Sequence, residues 1–384
     1  MSRLPSDESF TSRLHSAAVA ARVGLVLAVC FGICFTTGLI SHYAQSPSQP
    51  VPFPTSPSWG YRVTQGLHVV TGTASVPLLL VKLWTVYPQL FRRPPRELRK
   101  AALDGLERLS ILTLVASALF LLASGLANIT EWYPWDFSFR PTHYALAWIA
   151  IGSLVVHVAV KLAVIREALG TDVEDPALDS GNATRPSALS RRGLVRASWL
   201  AAGLAALAVA GNTVPFLRKV SVLAPHSGDG PQDLPVTKSA YAARVGAAAT
   251  SAAYRLELVR GDRTVTLSRD ELLALDQQTQ ELPIACVEGW SASGTWTGVR
   301  LRTLLDLVDR PAGSDVHLTS LQESGAFRRS TLPGNFADDD RTTLALLLNG
   351  EALALDHGYP ARLIAPNRPG VLQTKWVTRI EVLA

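Results

Sequence analysis

Apolar residues fall into five long stretches in the first part of the chain. Each is long enough to cross a bilayer, which takes about 20 helical residues. The pattern predicts five membrane spans, near Ala17–Ile40, Arg62–Tyr87, Leu106–Asn128, Thr142–Ile165 and Leu194–Phe216. The fifth is rich in alanine and is the least hydrophobic of the five.

After the fifth span the pattern changes to short strand-like runs, such as "YRLELVRG", "RTVTLS" and "TRIEVL". Between them, "SRDELLALD" and "VRLRTLLDLVD" have helical spacing with Ser or Asp near their starts. We therefore expect an N-terminal α-helical membrane bundle followed by a C-terminal β-rich α+β domain. The predicted borders are 1–168 for four spans, 169–193 for a flexible linker, 194–216 for the fifth span, 217–252 for a second linker and 253–384 for the β-rich domain.

Charged residues make up only 17% of the chain, against about 25% in an ordinary soluble domain. Basic residues gather before the first span, between the second and third, and between the fourth and fifth. The positive-inside rule then predicts a multi-pass protein of the cell membrane with a cytoplasmic N-terminus and an extracytoplasmic C-terminal domain. Membrane topology and contact with lipid explain the modest net charge of +5, so nucleic-acid binding is not indicated.

The fifth span is preceded by a pair of arginines, Arg191 and Arg192, in "SRRGLVRASWLAAGLAALAVAG". This stretch resembles a twin-arginine export signal, although two juxtamembrane arginines also satisfy the positive-inside rule. The twin-arginine machinery moves folded proteins, so the signal predicts that the exported domain receives a cofactor before export.

Three motifs follow one another over about 100 residues of the C-terminal domain: "CVEGWSASGTWTGVRLRTLL", "LLLNGEALALDHGYPARLIAP" and "LQTKWVTRIEV". In these motifs the chain resembles the oxidoreductase molybdopterin-binding family, which has the sulfite-oxidase-like fold. The whole layout resembles a group of actinobacterial membrane proteins in which five spans precede such a domain.

The resemblance implies a molybdenum–molybdopterin cofactor, with Cys286 as the catalytic residue and molybdenum ligand. A soft thiolate suits such a metal, although an isolated buried cysteine is otherwise a packing residue. The resemblance also implies that Trp290, His357, Arg362 and Lys375 bind the cofactor. Arginine suits its phosphate because the planar guanidinium donates two hydrogen bonds at once.

The position four residues after the cysteine bears on the substrate. Family members that act on sulfite or nitrate carry an arginine there, whereas this chain has Trp290. An anionic substrate would lose that cation, unless it is supplied by Arg300, Arg328 or Arg329. The C-x-E-x-W form resembles bacterial periplasmic reductases of sulfoxides such as oxidised methionine, so we expect reduction of a small molecule or an oxidised protein.

Histidines within predicted spans suggest a second cofactor, haem b, because ionisable residues inside a membrane are functional suspects. His143 and His157 lie 14 residues apart on the fourth span, close to four turns, so they share one helix face. Many b-type membrane cytochromes have two histidines at about this spacing. Fourteen residues after His68, on the second span, stands Lys82.

This spacing favours His68 with His143 as the ligands of an outer haem. A His68–His157 pair stays open, and His42 is a further candidate. The alternative is that these histidines form hydrogen bonds between helices.

Together the patterns predict a membrane-bound molybdenum oxidoreductase. Its electrons would pass through haem between the active site and the quinone pool or another redox partner. Two rival interpretations are a non-enzymatic interaction module on a membrane anchor, and a molybdoenzyme without haem that is served by a separate electron partner.

Overall fold

The computed structural model describes residues 9–46, 51–178, 188–224 and 230–383. The chain divides into two compact units. Unit 1 comprises Met1–Gly38 with Leu67–Val209, and unit 2 comprises Leu39–Gly66 with Ala210–Ala384. Segments 179–187 and 225–229, which belong to the two predicted linkers, lie outside the described residues.

Five long helices confirm the five predicted spans. They are α1 (Ala17–Ala44), α2 (Gly60–Val86), α3 (Leu98–Ile129), α4 (Phe139–Gly170) and α5 (Arg191–Ala210). All five are long and apolar enough to cross a membrane, so the protein is a multi-pass membrane protein.

The fifth helix is shorter than predicted, because it ends at Ala210 rather than at Phe216. The main-chain N–H of Gly211 donates to Ser221 Oγ at 2.7 Å. A Cβ atom at Gly211 would lie 2.7 Å from the Cα of Arg218. The chain therefore turns at a glycine that allows close backbone approach, as is common after a helix.

The predicted linker 169–193 is packed over its described first part. Arg22 donates to the carbonyl of Thr171 at 2.6 Å. Arg191 donates to the carbonyls of Val173 and Asp175 at 3.3 and 2.8 Å. Two guanidinium groups thus hold main-chain carbonyls of a segment whose composition alone suggested flexibility.

Unit 2 is a β-rich α+β domain, as predicted. Its strands are β1 (Leu256–Arg260), β2 (Arg263–Leu267), β3 (Gln277–Ala285), β4 (Ser291–Arg300), β5 (Val316–Ser320), β6 (Arg329–Leu332), β7 (Thr343–Leu348), β8 (Glu351–Ala352), β9 (Arg362–Ile364) and β10 (Val377–Val382). They form one sheet in the order β2-β1-β10-β5-β6, and a second in the order β3-β4-β7-β8 with β9 paired to β7.

Short helices connect these strands. They are α6 (Ala240–Ala243), α7 (Gly246–Ala249), α8 (Arg269–Ala274), α9 (Leu301–Asp306) and α10 (Gly334–Asp338). A capping box starts α8, in which Ser268 and Glu271 satisfy each other's main-chain N–H groups. Asn349 and Gly350 both have positive φ in the two-residue turn between β7 and β8, the conformation that tight hairpins require.

Two apolar clusters form the core of unit 2. The larger includes Leu258, Leu318 and Ile380, which lie on the adjacent strands β1, β5 and β10. The smaller surrounds Cys286 and includes Leu234, whose side chain is only 1% exposed. Burying a leucine contributes about 1.5–3 kcal/mol. The predicted linker 217–252 was therefore wrong for its later part, which belongs to the folded domain.

Residues 39–66 also belong to unit 2 rather than to the membrane domain predicted over 1–168. The ring of Phe53 packs against the larger core cluster. Asn335 donates to the Phe53 carbonyl at 2.8 Å, and Asn367 donates to the Pro54 carbonyl at 2.7 Å. These partners are distant in sequence, so the apolar pattern could not reveal them.

Candidate molybdenum and haem sites

Cys286 lies in the hairpin loop between β3 and β4. The main-chain N–H of Cys286 donates to the carbonyl of Trp290 at 2.9 Å, and the N–H of Gly289 donates back to the Cys286 carbonyl at 3.1 Å. Gly289 has a φ of 93°, which glycine adopts without a steric cost. The loop therefore closes on itself and holds the thiol at 5% exposure.

A threonine that the sequence did not suggest lies against this thiol. Thr237 Oγ1 is 3.6 Å from Cys286 Sγ and accepts a hydrogen bond from the indole N–H of Trp290 at 3.2 Å. Thr237 belongs to the predicted linker 217–252, which has no apolar periodicity. The sequence around it therefore does not indicate that it contacts the thiol. Trp290 thus acts on the thiol through Thr237.

Two of the predicted cofactor ligands, Arg362 and Lys375, lie close enough to Cys286 to interact with it electrostatically, and His357 lies beside Arg362. Arg362 donates to the carbonyl of His357 at 3.2 Å. The ammonium of Lys375 donates to the carbonyl of Asp356 at 2.7 Å. Gly358, with a φ of 109°, separates these side chains: a Cβ there would lie 3.2 Å from the Cβ of Arg362 and 3.1 Å from that of Lys375. A glycine is needed for the two cations to approach.

The electrostatics of this group suit an anion. Burial lowers the pKa of Arg362 to about 10. Burial, and then the charge of Arg362, lowers the pKa of Lys375 to about 7 and that of His357 to about 4. In the described part of the chain, Arg362 Nε is buried without a hydrogen-bond partner. Because buried charges normally need a partner of opposite sign, these residues fit the phosphate of a pterin cofactor.

His357 is held in one orientation beside these cations. Its Nε2 lies 2.6 Å from the carbonyl of Pro231. A carbonyl can only accept, so Nε2 carries the proton and Nδ1 is the acceptor in the neutral ring. Pro231 lies in the same predicted linker as Thr237. This segment therefore supplies two contacts to the site.

The thiol of Cys286 has a pKa well above its usual value, because of burial and then the nearby carboxylate of Glu288. A coordinated metal reverses this tendency, since a thiol that binds a metal ion is deprotonated. The buried sulfur, its hydroxyl neighbour and the cations beside it together fit a molybdenum–molybdopterin group.

Three arginines could have supplied the cation that Trp290 replaces, but all three lie on the surface. Arg300 forms a salt bridge with Asp340 at 3.2 Å, and both side chains are largely exposed. Arg328 and Arg329 are also exposed. Trp290 itself is 5% exposed.

Unit 1 brings two of the predicted haem ligands together. The imidazole rings of His68 on α2 and His143 on α4 have centroids 6.3 Å apart. A metal ion lies about 2 Å from each imidazole nitrogen that binds it. Two imidazoles that bind one iron therefore have ring centres about 6 Å apart. The separation therefore fits a shared haem iron.

Hydrogen bonds orient both rings. His68 Nδ1 lies 2.9 Å from the Cys34 carbonyl and 3.1 Å from Thr37 Oγ1. His143 Nδ1 lies 3.2 Å from Ser124 Oγ. Each contact leaves Nε2 to bind a metal, which is the usual arrangement for ligating histidines.

The other intramembrane candidates do not join this pair. His157 lies 14 residues beyond His143 on the same helix, about 21 Å along its axis. Lys82, the residue expected at the depth of a second haem, donates to the Ala20 carbonyl at 2.7 Å. His42 lies in the last turn of α1, in a segment that belongs to unit 2.

Two known families match separate parts of the chain. Residues 244–384 match the oxidoreductase molybdopterin binding domain, and residues 25–172 match prokaryotic cytochrome b561. The chain therefore combines a molybdopterin-binding oxidoreductase domain with a cytochrome b561 domain. Both of its cofactor classes, molybdopterin and haem b, follow from these domains, so the expected fold and cofactors are confirmed.

Three curated relatives illustrate the range of this family. The putative protein-methionine-sulfoxide reductase subunit YedZ1 of Azospira oryzae is 32% identical over 34% of this chain and 50% of its own. The protein-methionine-sulfoxide reductase catalytic subunit MsrP of Gluconobacter oxydans is 31% identical over 26% of this chain and 36% of its own. The mitochondrial sulfite oxidase of Drosophila melanogaster is 29% identical over 34% of this chain and 27% of its own. The chain thus spans half or less of the length of these relatives.

Proposed function

We propose that the protein is a membrane-bound molybdenum-cofactor oxidoreductase that reduces a sulfoxide outside the cytoplasm. The observation that carries this proposal is the convergence of the buried Cys286 thiol with Arg362 and Lys375, two cations whose described hydrogen bonds go to main-chain carbonyls. A non-enzymatic domain would have no reason to keep a thiol beside two buried basic side chains whose charge is disfavoured by burial.

When bound, the molybdenum cofactor supplies two-electron oxygen-atom transfer. Cys286 would be its protein ligand, while Arg362 and Lys375 would hold the phosphate and ring edges of the pterin. The indole N–H of Trp290 occupies a lone pair of Thr237 Oγ1, so the Thr237 hydroxyl can direct its own proton to the sulfur. A hydrogen bond donated to a thiolate favours the charged form that binds metal.

A neutral sulfoxide is the substrate class we favour. Trp290 stands where sulfite- and nitrate-active members of the family have an arginine, and Arg300 is paired with Asp340 on the surface. Two of the relatives described above are named as methionine-sulfoxide reductase proteins. Free methionine sulfoxide and an oxidised protein are both within this class.

Electrons would reach the site from the quinone pool or another redox partner, through a haem bound by His68 and His143. The distribution of basic residues supports a cytoplasmic N-terminus and an extracytoplasmic C-terminal domain. The Arg191–Arg192 pair supports export by the twin-arginine machinery.

The test is the molybdenum content per chain of the purified protein, measured together with the rate of methionine-sulfoxide reduction by a dye reductant. We expect close to one molybdenum per chain in the parent protein. Cys286→Ser should keep metal, because the pterin also binds it, but lose activity. Cys30→Ser, which changes a cysteine of α1, is the matched control and should retain both.

The outcomes separate the proposal from its rival. No molybdenum in protein from a host that makes the cofactor would refute the enzyme and leave an interaction module. Molybdenum with reduction of nitrate or oxidation of sulfite, but no sulfoxide reduction, would refute the substrate class alone.

A further inference from the structure

The loop that carries Cys286 is also held from outside its own hairpin. Two segments of unit 2 contact it: residues 61–66, in the first turns of α2, and residues 212–218, which follow α5. Both are continuous with predicted membrane spans, and neither belongs to the matched molybdopterin-binding region, 244–384. We call these two segments the clamp.

On the α2 side, the clamp contacts the residues on both sides of the cysteine. Tyr61, only 1% exposed, packs against Ala285. Gln65 is buried, and its Nε2 donates to the carbonyl of Val287 at 3.3 Å. The residues on both sides of Cys286 are therefore held by α2.

On the α5 side, the clamp contacts the end of the loop. The main-chain N–H of Ser291 donates to the carbonyl of Asn212 at 2.7 Å. The hydroxyl of Thr213 donates to the carbonyl of Gly289 at 3.4 Å. This second segment thus fixes the turn that brings Trp290 back to Cys286.

The two segments are joined to each other as well. Arg62 donates twice to the carbonyl of Thr213, at 3.0 and 2.6 Å. Gly66 lies directly against Thr213, where an added Cβ would be 2.6 Å from Thr213 Cγ2. Real Cβ contacts are essentially never that short, so only glycine at position 66 lets α2 reach this contact.

We propose that the clamp positions the molybdenum-binding thiol, with Arg62, Gln65, Gly66 and Thr213 as positioning residues. This inference rests on the proposed function, since it assigns Cys286 to the metal. Its physical basis is that a metal ligand needs support that locks its geometry. The hairpin loop provides its own two main-chain hydrogen bonds, and the clamp adds partners for Val287, Gly289 and Ser291.

Two substitutions test the clamp without touching the site. Gly66→Ala should force Thr213 away, and Thr213→Val should remove one hydroxyl while keeping the shape of the side chain. Gly203→Ala is the matched control, because that glycine of α5 has no atom within 4 Å of an added Cβ. All three are compared as full-length protein in detergent.

The first measurement is amide hydrogen exchange of the peptide that contains residues 286–291. Both variants should exchange about tenfold faster in this peptide, because each loses about one buried hydrogen bond. The rest of unit 2, and the whole Gly203→Ala control, should exchange at the parent rate. The second is the electron paramagnetic resonance signal of the half-reduced molybdenum centre, which should shift or broaden at unchanged molybdenum content.

Two results would overturn the clamp: exchange at 286–291 equal to the parent in both variants, or faster exchange spread evenly over unit 2, which indicates a general loss of stability. Hydrogen exchange does not need the metal. A parent protein without molybdenum would therefore refute the proposed function while the exchange result still decides whether the clamp orders the loop.

Discussion

His68 and His143 face each other with ring centroids 6.3 Å apart, on two helices separated in sequence by a third. Each ring is oriented through its Nδ1 by an oxygen of the neighbouring structure. His68 bonds to Thr37 on α1 and His143 bonds to Ser124 on α3, so contacts between helices account for the Nδ1 atom of each ring. They leave the Nε2 atoms available, and we propose that both bind the haem b that the cytochrome b561 match implies.

His68→Ala and His143→Ala should each remove the reducible b-type absorption band, because we propose that both rings bind the same haem iron. The measurement is the difference spectrum of the purified protein before and after reduction. His157→Ala is the control and should keep the band. If the band survives in either of the first two variants and is lost in the control, the pairing is wrong and His157 is a ligand.

Lys375 should make the stability of the cofactor-free protein depend on pH. Burial, followed by the charge of Arg362, lowers its pKa from the usual 10.5 to about 7. Asp356 and Lys238 also act on it. Between these two values the unfolded chain binds a proton that the folded chain lacks, so stability should rise with pH from about 7 upward.

The measurement is the melting temperature between pH 7 and 9.5 of protein made without the cofactor. Lys375→Met should flatten this rise, because the variant has no proton to release on folding. Equal slopes in the parent and the variant would contradict the assignment. With the cofactor bound, its phosphate should keep Lys375 charged, so the rise should also be smaller in the loaded protein.

Much of this architecture could be predicted from the sequence. The length of the apolar stretches predicts the five spans, and strand-like runs predict β1, β2 and β10, because both patterns are local. The two strands that flank Cys286 were missed. β3 is "QQTQELPIA", polar and with a proline, and β4 is "SASGTWTGVR", with small residues and glycines. Each pairs along its length with the other, so pairing rather than intrinsic propensity determines them.

The candidate site shows the same limit. Cys286, Arg362 and Lys375 could be assigned because they stand within motifs. Thr237, Pro231 and the clamp could not, because they act through hydrogen bonds to residues at least 49 positions away. Contacts between such distant residues produce no periodic pattern in a sequence, and only the folded chain brings the residues together.

Asn367 should be needed for the stability of unit 2. Its Oδ1 accepts from the main-chain N–H of Tyr61 at 2.6 Å, and its Nδ2 donates to the Pro54 carbonyl at 2.7 Å. Asn367→Ala loses both bonds and should cost about 2 kcal/mol, measured as a lower melting temperature. Asn367→Asp keeps the acceptor for Tyr61 but sets a buried carboxylate against the Pro54 carbonyl oxygen, so it should cost at least as much. An alanine variant as stable as the parent would show that these two hydrogen bonds add nothing to the domain.

The twin-arginine prediction can be separated from the structural role of the same residues. In the folded protein Arg191 is 2% exposed and bound to carbonyls of the 169–193 segment, and Arg192 pairs with Asp172. Replacing both arginines with lysine should keep positive charge at the membrane but block recognition by the export machinery. The C-terminal domain would then stay on the cytoplasmic side, where protease added to intact cells stripped of their wall cannot cut it.

The control for this experiment is the parent chain in a host that lacks the twin-arginine translocase, where the domain should be equally protected. If the parent is exported in that host while the lysine variant is not, the substitutions act by disturbing the contacts with Val173 and Asp175 rather than by removing a signal. If both are exported, the pair is a structural anchor of the α4–α5 connection, and the domain crosses the membrane by another route. Only protection in both cases supports export of a folded domain, as expected for one that receives its cofactor beforehand.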